Sequence, residues 1–327
     1  MGARNNWTLQ EIREIYNRPL LGLVFEAACV HRDNKAFGEV QISSLLSIKT
    51  GGCKEDCAYC PQAARYNTAV EPEPLMTVEK VMERAAFAKD HGASRFCMGA
   101  AWREVRDNRD FDRVLEMVRG VNGLGLEVCC TLGMLTYEQA TRLKQAGCFA
   151  YNHNIDTSPE HYKNIISTRR FEDRLDTLDH VRKANLSVCC GGIIGLGETA
   201  EDRMEMLYVL STMDVHPDSV PINALVAVKG TPLENNQRVG IDEMLRMIAT
   251  ARILMPESVV RLSAGRNEMS VAEQALCFIA GANSIFAGEK LLTTPNPAFD
   301  ADMQMLRMLG LTAREPFKQI HAAEPFS

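Results

Sequence analysis

The sequence predicts an α/β fold, a (β/α)8 TIM-type barrel with an N-terminal helical extension. Eight short apolar runs alternate with amphipathic helical stretches along most of the 327 residues. No Ser-, Gly- or Pro-rich linker interrupts that alternation, so one large domain accounts for the length. The first forty residues stand apart because their pattern is helical throughout.

In that extension, Thr8 and Glu11 have capping-box spacing ahead of Ile12, Ile15 and Tyr16. Pro19 restarts the chain into the apolar stretch 20–30, and Gly38 ends the segment. The candidate strands are residues 40–48, 94–98, 126–132, 148–154, 187–194, 219–225, 258–263 and 284–287. Between them, residues 78–92, 111–125, 137–147, 171–185, 201–213, 241–255 and 271–283 place apolar side chains at helical steps. Gly92, Gly147, Asn185 and Asn283 close helices, while Thr136 with Gln139 and Ser270 with Glu273 open them. The boundaries are then an extension over 1–38, a barrel over 39–311 and a loosely ordered tail over 312–327. Local pattern alone also permits a doubly wound open sheet.

With 46% hydrophobic and 24% charged residues, the chain has ordinary globular composition. Its net charge of -6, without a basic block, argues against a nucleic-acid partner. The N-terminal residues lack an apolar signal segment, Asn6 stands where myristoylation wants Ser or Thr, and no apolar run is long enough to span a bilayer. A cytoplasmic protein is expected, with no membrane partner. Its 11 cysteines are then reduced, as metal ligands, catalysts or core filler.

The strongest chemical signal is Cys53-Lys-Glu-Asp-Cys57-Ala-Tyr-Cys60, directly after the first strand. Thr50, Gly51 and Gly52 supply a flexible turn, and Pro61 stops any helix. Three thiolates and no nearby fourth ligand suit a four-iron cluster with one iron open to a small molecule. A zinc site completed from afar is the alternative. The end of a first barrel strand is also where barrel enzymes carry their chemistry.

Further cysteines fall within strands: Cys97, the doublet Cys129-Cys130 and the doublet Cys189-Cys190. Buried cysteine is ordinary core material, but three strands carrying it at similar depth also suit a second ligand set. Only one member of each doublet can point into the barrel, and alternation does not say which. Arg261, in a Val-Val-Arg-Leu strand, is costly to bury without a compensating anion or cluster; otherwise it marks a strand end.

YNHNIDTSPE follows the fourth strand. Asn152, Asn154 and Asp156 alternate, so they share a face if the strand persists. Asp156 can accept both hydroxyls of a ribose, and asparagines can pair with a urea-like ring; an Asx-rich turn before Ser158-Pro159 is the other reading. Gly191-x-Ile193-x-Gly195 lacks dinucleotide-binding spacing. His153 is read as structural. No G-x-S-x-G, P-loop or H-E-x-x-H motif occurs.

The C-x3-C-x2-C spacing, with Tyr59 before the third cysteine, resembles the radical S-adenosylmethionine superfamily. SLLSIKTGGCKEDCAYCPQ, RFCMGAAW, YNHNIDTSPE, GGIIGLGET, SVPINALVAVKGTPL, VRLSAGR and ANSIFAGEKLLTTPNP together resemble the biotin synthases, over roughly residues 7–311. The resemblance implies a (β/α)8 barrel that inserts sulfur into dethiobiotin. It implies a 4Fe-4S cluster on Cys53, Cys57 and Cys60, and a 2Fe-2S sulfur source on Cys97, Cys129, Cys189 and Arg261. For S-adenosylmethionine it implies Tyr59, Gly99, Ile193, the ribose ligands Asn154 and Asp156, and Arg174 at the methionyl carboxylate. For dethiobiotin it implies Asn152 and Asn223 near the ureido ring, and Thr293 and Thr294 at the carboxylate. Without the resemblance, Arg174 reads as a solvated helix residue and the threonines as a capping pair. A flavodoxin or ferredoxin donor and a homodimer are further implications. The rivals are a related radical enzyme of hydrogenase-maturation or methylornithine-forming type, and a non-catalytic iron-sulfur or zinc protein. One tension stands: barrel layers come from alternate strands, yet Cys97 falls on the second strand while Cys129, Cys189 and Arg261 fall on the third, fifth and seventh, so the cluster must bridge layers.

Overall fold

The computed structural model describes residues 4–35 and 37–316. Residues 1–3, residue 36 and residues 317–327, which hold most of the sequence-predicted tail, lie outside the described residues. The strands are β1 (Glu39–Lys49), β2 (Arg95–Ala100), β3 (Glu127–Thr131), β4 (Cys148–Asn152), β5 (Ser187–Cys189), β6 (Gly192–Ile194), β7 (Ser219–Ala224), β8 (Val259–Leu262), β9 (Ser284–Phe286) and β10 (Thr312–Ala313). They pair in parallel in the order β1-β2-β3-β4-β5-β7-β8-β9, with β6 also on β7. Gln41 with Ser284, Ile42 with Ile285 and Ser43 with Phe286 then join β9 back to β1. That ladder closes the barrel and removes the open-sheet alternative.

The fifth sequence-predicted strand is broken into β5 and β6, and the neighbouring strand explains why. Pro221 in β7 has no N–H to give the ladder. At that height Gly191 passes so close that a Cβ on it would lie 2.0 Å from the Pro221 carbonyl oxygen. Pairing stops at Cys189–Ser219 and resumes at Gly192–Ile222.

In the extension, the Thr8/Glu11 capping box forms at helix Leu9–Tyr16. That helix and Leu20–Asn34 bury Ile12, Ile15, Leu23 and Ala27 against helices Ala200–Ser211 and Ile241–Leu254. Helix Phe299–Met308 was not foreseen in the sequence. It follows Pro295 and Pro297, and its N-cap, Ala298, offers no capping side chain. Its Asp302 makes a buried two-bond ion pair with Arg266, at 2.6 and 2.7 Å, tying it to the segment after β8. Thr312 and Ala313 pair with Glu39 and Val40, so the expected tail starts with a strand held at the foot of β1.

Most of the core lies between strands and helices, where Ile42, Met98, Val128 and Val220 point outward. A separate small cluster of Cys97, Cys129 and Ala150 lies on the inner face. Among the described residues, no helix is long and apolar enough to cross a membrane.

Candidate active site

The cysteine loop leaves β1 through Gly51 and Gly52, whose φ angles of +66° and +69° favour glycine. Backbone bonds then close it: Cys53 N–H donates to Gln62 O at 3.0 Å, Ala64 N–H to Cys53 O at 2.8 Å and Cys60 N–H to Cys57 O at 2.9 Å. Cys53, Cys57 and Cys60 all line one cavity of about 340 Å³. Burial pushes the Cys57 thiol up to about 12 and the Cys60 thiol up to about 11, and it raises Cys53. Neutral thiols therefore wait for a metal to displace their protons. Among the described residues, no three His, Cys, Asp or Glu side chains converge on a single-ion site. Three sulfurs around one cavity suit the ligand set of a cluster.

The loop is clamped from the side by residues 165–169. Asp56 accepts from the backbone N–H groups of Ser167 at 2.9 Å and Thr168 at 3.1 Å, and from both hydroxyls. Ala58 N–H donates to Ile165 O at 2.9 Å. Those bonds to Asp56 outweigh its burial and hold its pKa down to about 2.

Inside the barrel, strand register resolves both cysteine doublets. Cys97 pairs in register with Cys129, one residue facing the other at the same height. Cys130 points the other way, into the core around Cys148, and Cys190 also joins that outer core. The Cys129 thiol hydrogen-bonds Cys97 and lowers its pKa, with Arg261 and Arg95 assisting. Cys189 Sγ accepts from Asn152 Nδ2 at 3.3 Å and from Arg261 Nη1 at 3.8 Å. Arg261 is 1% exposed and therefore does not mark a solvent-facing strand end. Its Nε donates to Ser284 Oγ at 3.0 Å, and its Nη2 donates to Gln41 and Ser43. The register brings Cys97 and Cys129 together from adjacent strands, so this pair spans the alternate-strand layers.

This inner site carries more cation than anion. Arg95 and Glu127 stand two residues before Cys97 and Cys129 on the same strands, so they form the layer beneath. They pair at 2.8 Å, yet Arg95 Nη1 is buried without a hydrogen-bond partner among the described residues. With Arg261 above, the pocket suits an anionic, sulfur-ligated group such as the two-iron cluster.

Arg174 is buried, not solvated. It pairs with Asp156, donates from Nε to Tyr162 Oη at 2.9 Å and from Nη1 to Asn154 O at 2.8 Å. The two residues expected to take opposite ends of the cofactor thus neutralise one another here. Asp156 also accepts from Tyr59 Oη at 2.8 Å, and its φ of +68° is unusual for a residue with a Cβ. Ile193 N–H donates to Asp156 O at 2.8 Å, which fixes that turn against β6.

Asn152, Asn154, Asp156, Ile193 and Asn223 line the cavity, as do Thr293 and Thr294. The helix after Ser158-Pro159 forms as well, capped by Ser158. Asn223 Nδ2 donates to Gly192 O at 2.9 Å and its Oδ1 accepts from Ala264 N–H at 3.2 Å, leaving one donor and one lone pair for a ligand. Thr294 sits in a hairpin with Leu291 and does not cap a helix. Two expected residues stand back from the cavity wall, Cys189 behind Asn152 and Gly99 behind Leu292. A Cβ on Gly99 would lie 2.5 Å from Leu292 Cδ2. His153 is buried, and desolvation followed by Arg174 and Arg169 keeps it neutral.

Four charged residues of the site were missed in the sequence: Glu55, Arg95, Glu127 and Arg169. Alternation from Cys97 back to Arg95 is a signal that could have found one of them. Nothing local marks Arg169, whose place depends on the clamp to Asp56.

A family model described as the radical SAM superfamily matches residues 47–209, and one described as the biotin and thiamin synthesis associated domain matches residues 221–312. Biotin synthase from Cytophaga hutchinsonii is 63% identical, over 96% of this chain and 94% of the relative. The mitochondrial biotin synthase of Arabidopsis thaliana is 58% identical, over 96% of this chain and 84% of the relative. Among solved structures, a methylornithine synthase superposes with a TM-score of 0.80 at 20% identity, covering 94% of each chain, and shows the shared fold. An FeFe-hydrogenase maturase from Carboxydothermus hydrogenoformans superposes equally well, at 0.80 and 15% identity, over 94% of this chain and 76% of its own.

Proposed function

This chain belongs to the biotin synthase family of radical S-adenosylmethionine enzymes, and on that premise we propose how its residues serve the family's reaction, sulfur insertion into dethiobiotin. The observation that carries the proposal is that two separate sulfur-donor sets, one in the β1 loop and one inside the barrel, adjoin the same cavity. Cys53, Cys57 and Cys60 would hold the 4Fe-4S cluster; Cys97, Cys129, Cys189 and Arg261 would hold the 2Fe-2S cluster. When bound, the first would supply the electron that cleaves S-adenosylmethionine to methionine and an oxidising carbon radical, and the second would supply sulfur.

The protein's own contribution is placement and exclusion of water. Asn154 and Asp156 would orient the ribose, and Ile193, on the same cavity wall, would contact the adenosine. Arg174 turns from Asp156 to the methionyl carboxylate. Asn152, anchored between Thr131 and Cys189, and Asn223 present amide edges to the ureido ring. Thr293 and Thr294 take the substrate carboxylate. The closed barrel would keep solvent from the reacting carbon, and its inner wall would hold the sulfur source beside it. The working unit is the barrel of residues 39–311, in a cytoplasmic homodimer supplied with electrons by flavodoxin or ferredoxin.

Anaerobic reconstitution followed by dethiobiotin, S-adenosylmethionine and a low-potential reductant tests the proposal, with mass spectrometry for products. Biotin and 5′-deoxyadenosine are expected together. Fully clustered protein that makes neither would refute it.

A further inference from the structure

Arg169 has no part in the assignments above, yet it lines the cavity beside the loop cysteines with its side chain 5% exposed. Among the described residues its side chain makes one ion pair, from Nε to Glu55 Oε1 at 3.7 Å, too long for a hydrogen bond. Both of those atoms are buried without a hydrogen-bond partner. Arg174, the other buried arginine on this wall, has all three nitrogens engaged. A buried guanidinium with unspent donors, aimed into a cavity, is expensive unless an anion completes it.

The fold fixes Arg169 relative to the cysteines. Its two preceding residues give their N–H groups to Asp56, the residue next to Cys57. Glu55 lies between Cys53 and Cys57, and its other oxygen accepts from the Thr168 hydroxyl. Any group held by the three cysteines therefore meets Arg169 at a set position. Arg103, the second cation at Glu55, stands 3.6 Å away and is 36% exposed, so Arg169 is the better desolvated of the two.

We propose that Arg169 is a positioning residue for the four-iron cluster and sets its reduction potential, stabilising the more negative, reduced state by charge and N–H donation. The inference rests on the assignment of that cluster to Cys53, Cys57 and Cys60. The step concerned is the uptake of one electron from an external one-electron donor, with no bond made or broken. Adding negative charge beside a cation in a low-dielectric wall is favoured, and hydrogen bonds to cluster sulfur act in the same direction.

The test is a redox titration, followed by electron paramagnetic resonance, of anaerobically reconstituted wild type, Arg169→Gln and Arg169→Lys, with iron and sulfide counted in each. Arg169→Gln should bind the same four-iron complement, while its reduced-to-oxidised ratio at fixed potential falls about tenfold, a downward shift of about 59 mV for one electron. Arg169→Lys, which keeps the charge, should recover most of that shift. A wild-type midpoint in Arg169→Gln overturns the proposal. If that variant takes up no cluster, Glu55→Gln carries the test: it frees Arg169 from its ion pair, so the midpoint should rise, and an unchanged midpoint overturns the proposal. Failure of the parent assignment looks different, because wild type itself would then hold no four-iron cluster or Cys57→Ala would retain it.

Discussion

Arg261 and Cys189, 72 positions apart, meet inside the barrel with Nη1 of the guanidinium 3.8 Å from the thiol sulfur. Neither is held loosely: Asn152 donates to the same sulfur, while Ser284, Gln41 and Ser43 hold the other guanidinium nitrogens. The two side chains proposed as ligands, drawn from two strands, are thus already held by their neighbours.

The inward and outward members of the doublets should separate cleanly in mutants. Cys129→Ala and Cys189→Ala are expected to lose the two-iron absorption after reconstitution. Cys130→Ala and Cys190→Ala should keep it and cost about 1 kcal/mol of stability as small core losses. Visible spectra and urea denaturation of the four proteins read both effects.

Replacing Arg174 tests the buried pair with Asp156. Arg174→Met leaves a carboxylate that is 2% exposed with the Tyr59 hydroxyl as its remaining donor among the described residues, and should destabilise the fold by about 3–5 kcal/mol. S-adenosylmethionine affinity, measured by equilibrium dialysis, should fall at least about tenfold, since one charge-assisted contact is worth about 1.5–3 kcal/mol. Adding Asp156→Asn should restore much of the stability without restoring affinity.

Gly191 has no room for a methyl group. Gly191→Ala would bring Cβ to 2.0 Å from the Pro221 oxygen, so β5, β6 or β7 must move. A loss of about 3 kcal/mol or more is expected in urea unfolding. Gly123→Ala, where nothing lies within 4 Å of the new Cβ, is the control and should not show that loss.

His31 should give the protein an acid-sensitive component of stability. Burial, with Arg252 and Lys35 nearby, lowers its pKa to about 4 from the usual 6.5, and both ring nitrogens lack hydrogen-bond partners among the described residues. The neutral ring's contribution is complete above 6.5 and is lost as pH falls through 4, because the unfolded chain takes the proton first. Between pH 7 and pH 5 wild type should therefore lose about 2 kcal/mol more than His31→Phe, judged by denaturant titration at both values. Equal losses would assign the acid sensitivity elsewhere.

The chain's periodicity revealed the strand–helix alternation, and glycine and capping residues revealed several helix ends, because these depend on neighbours a few positions away. The Cys53–Cys60 motif was legible for the same reason: its three donors lie in one short loop. Helix Phe299–Met308 was not legible, since two prolines and an uncapped start hide it and its anchor, Arg266, lies far back in the chain.

The sequence by itself therefore determined the alternating elements, the local sulfur triad and, through resemblance, the family. Tertiary structure alone decided that β9 returns to β1, that Cys129 and Cys189 face inward while their neighbours do not, and that Arg174 is buried against Asp156. It also decided where Arg169 stands. Alternation fixes that successive side chains oppose one another, but only strand register and barrel closure determine which of them share the interior.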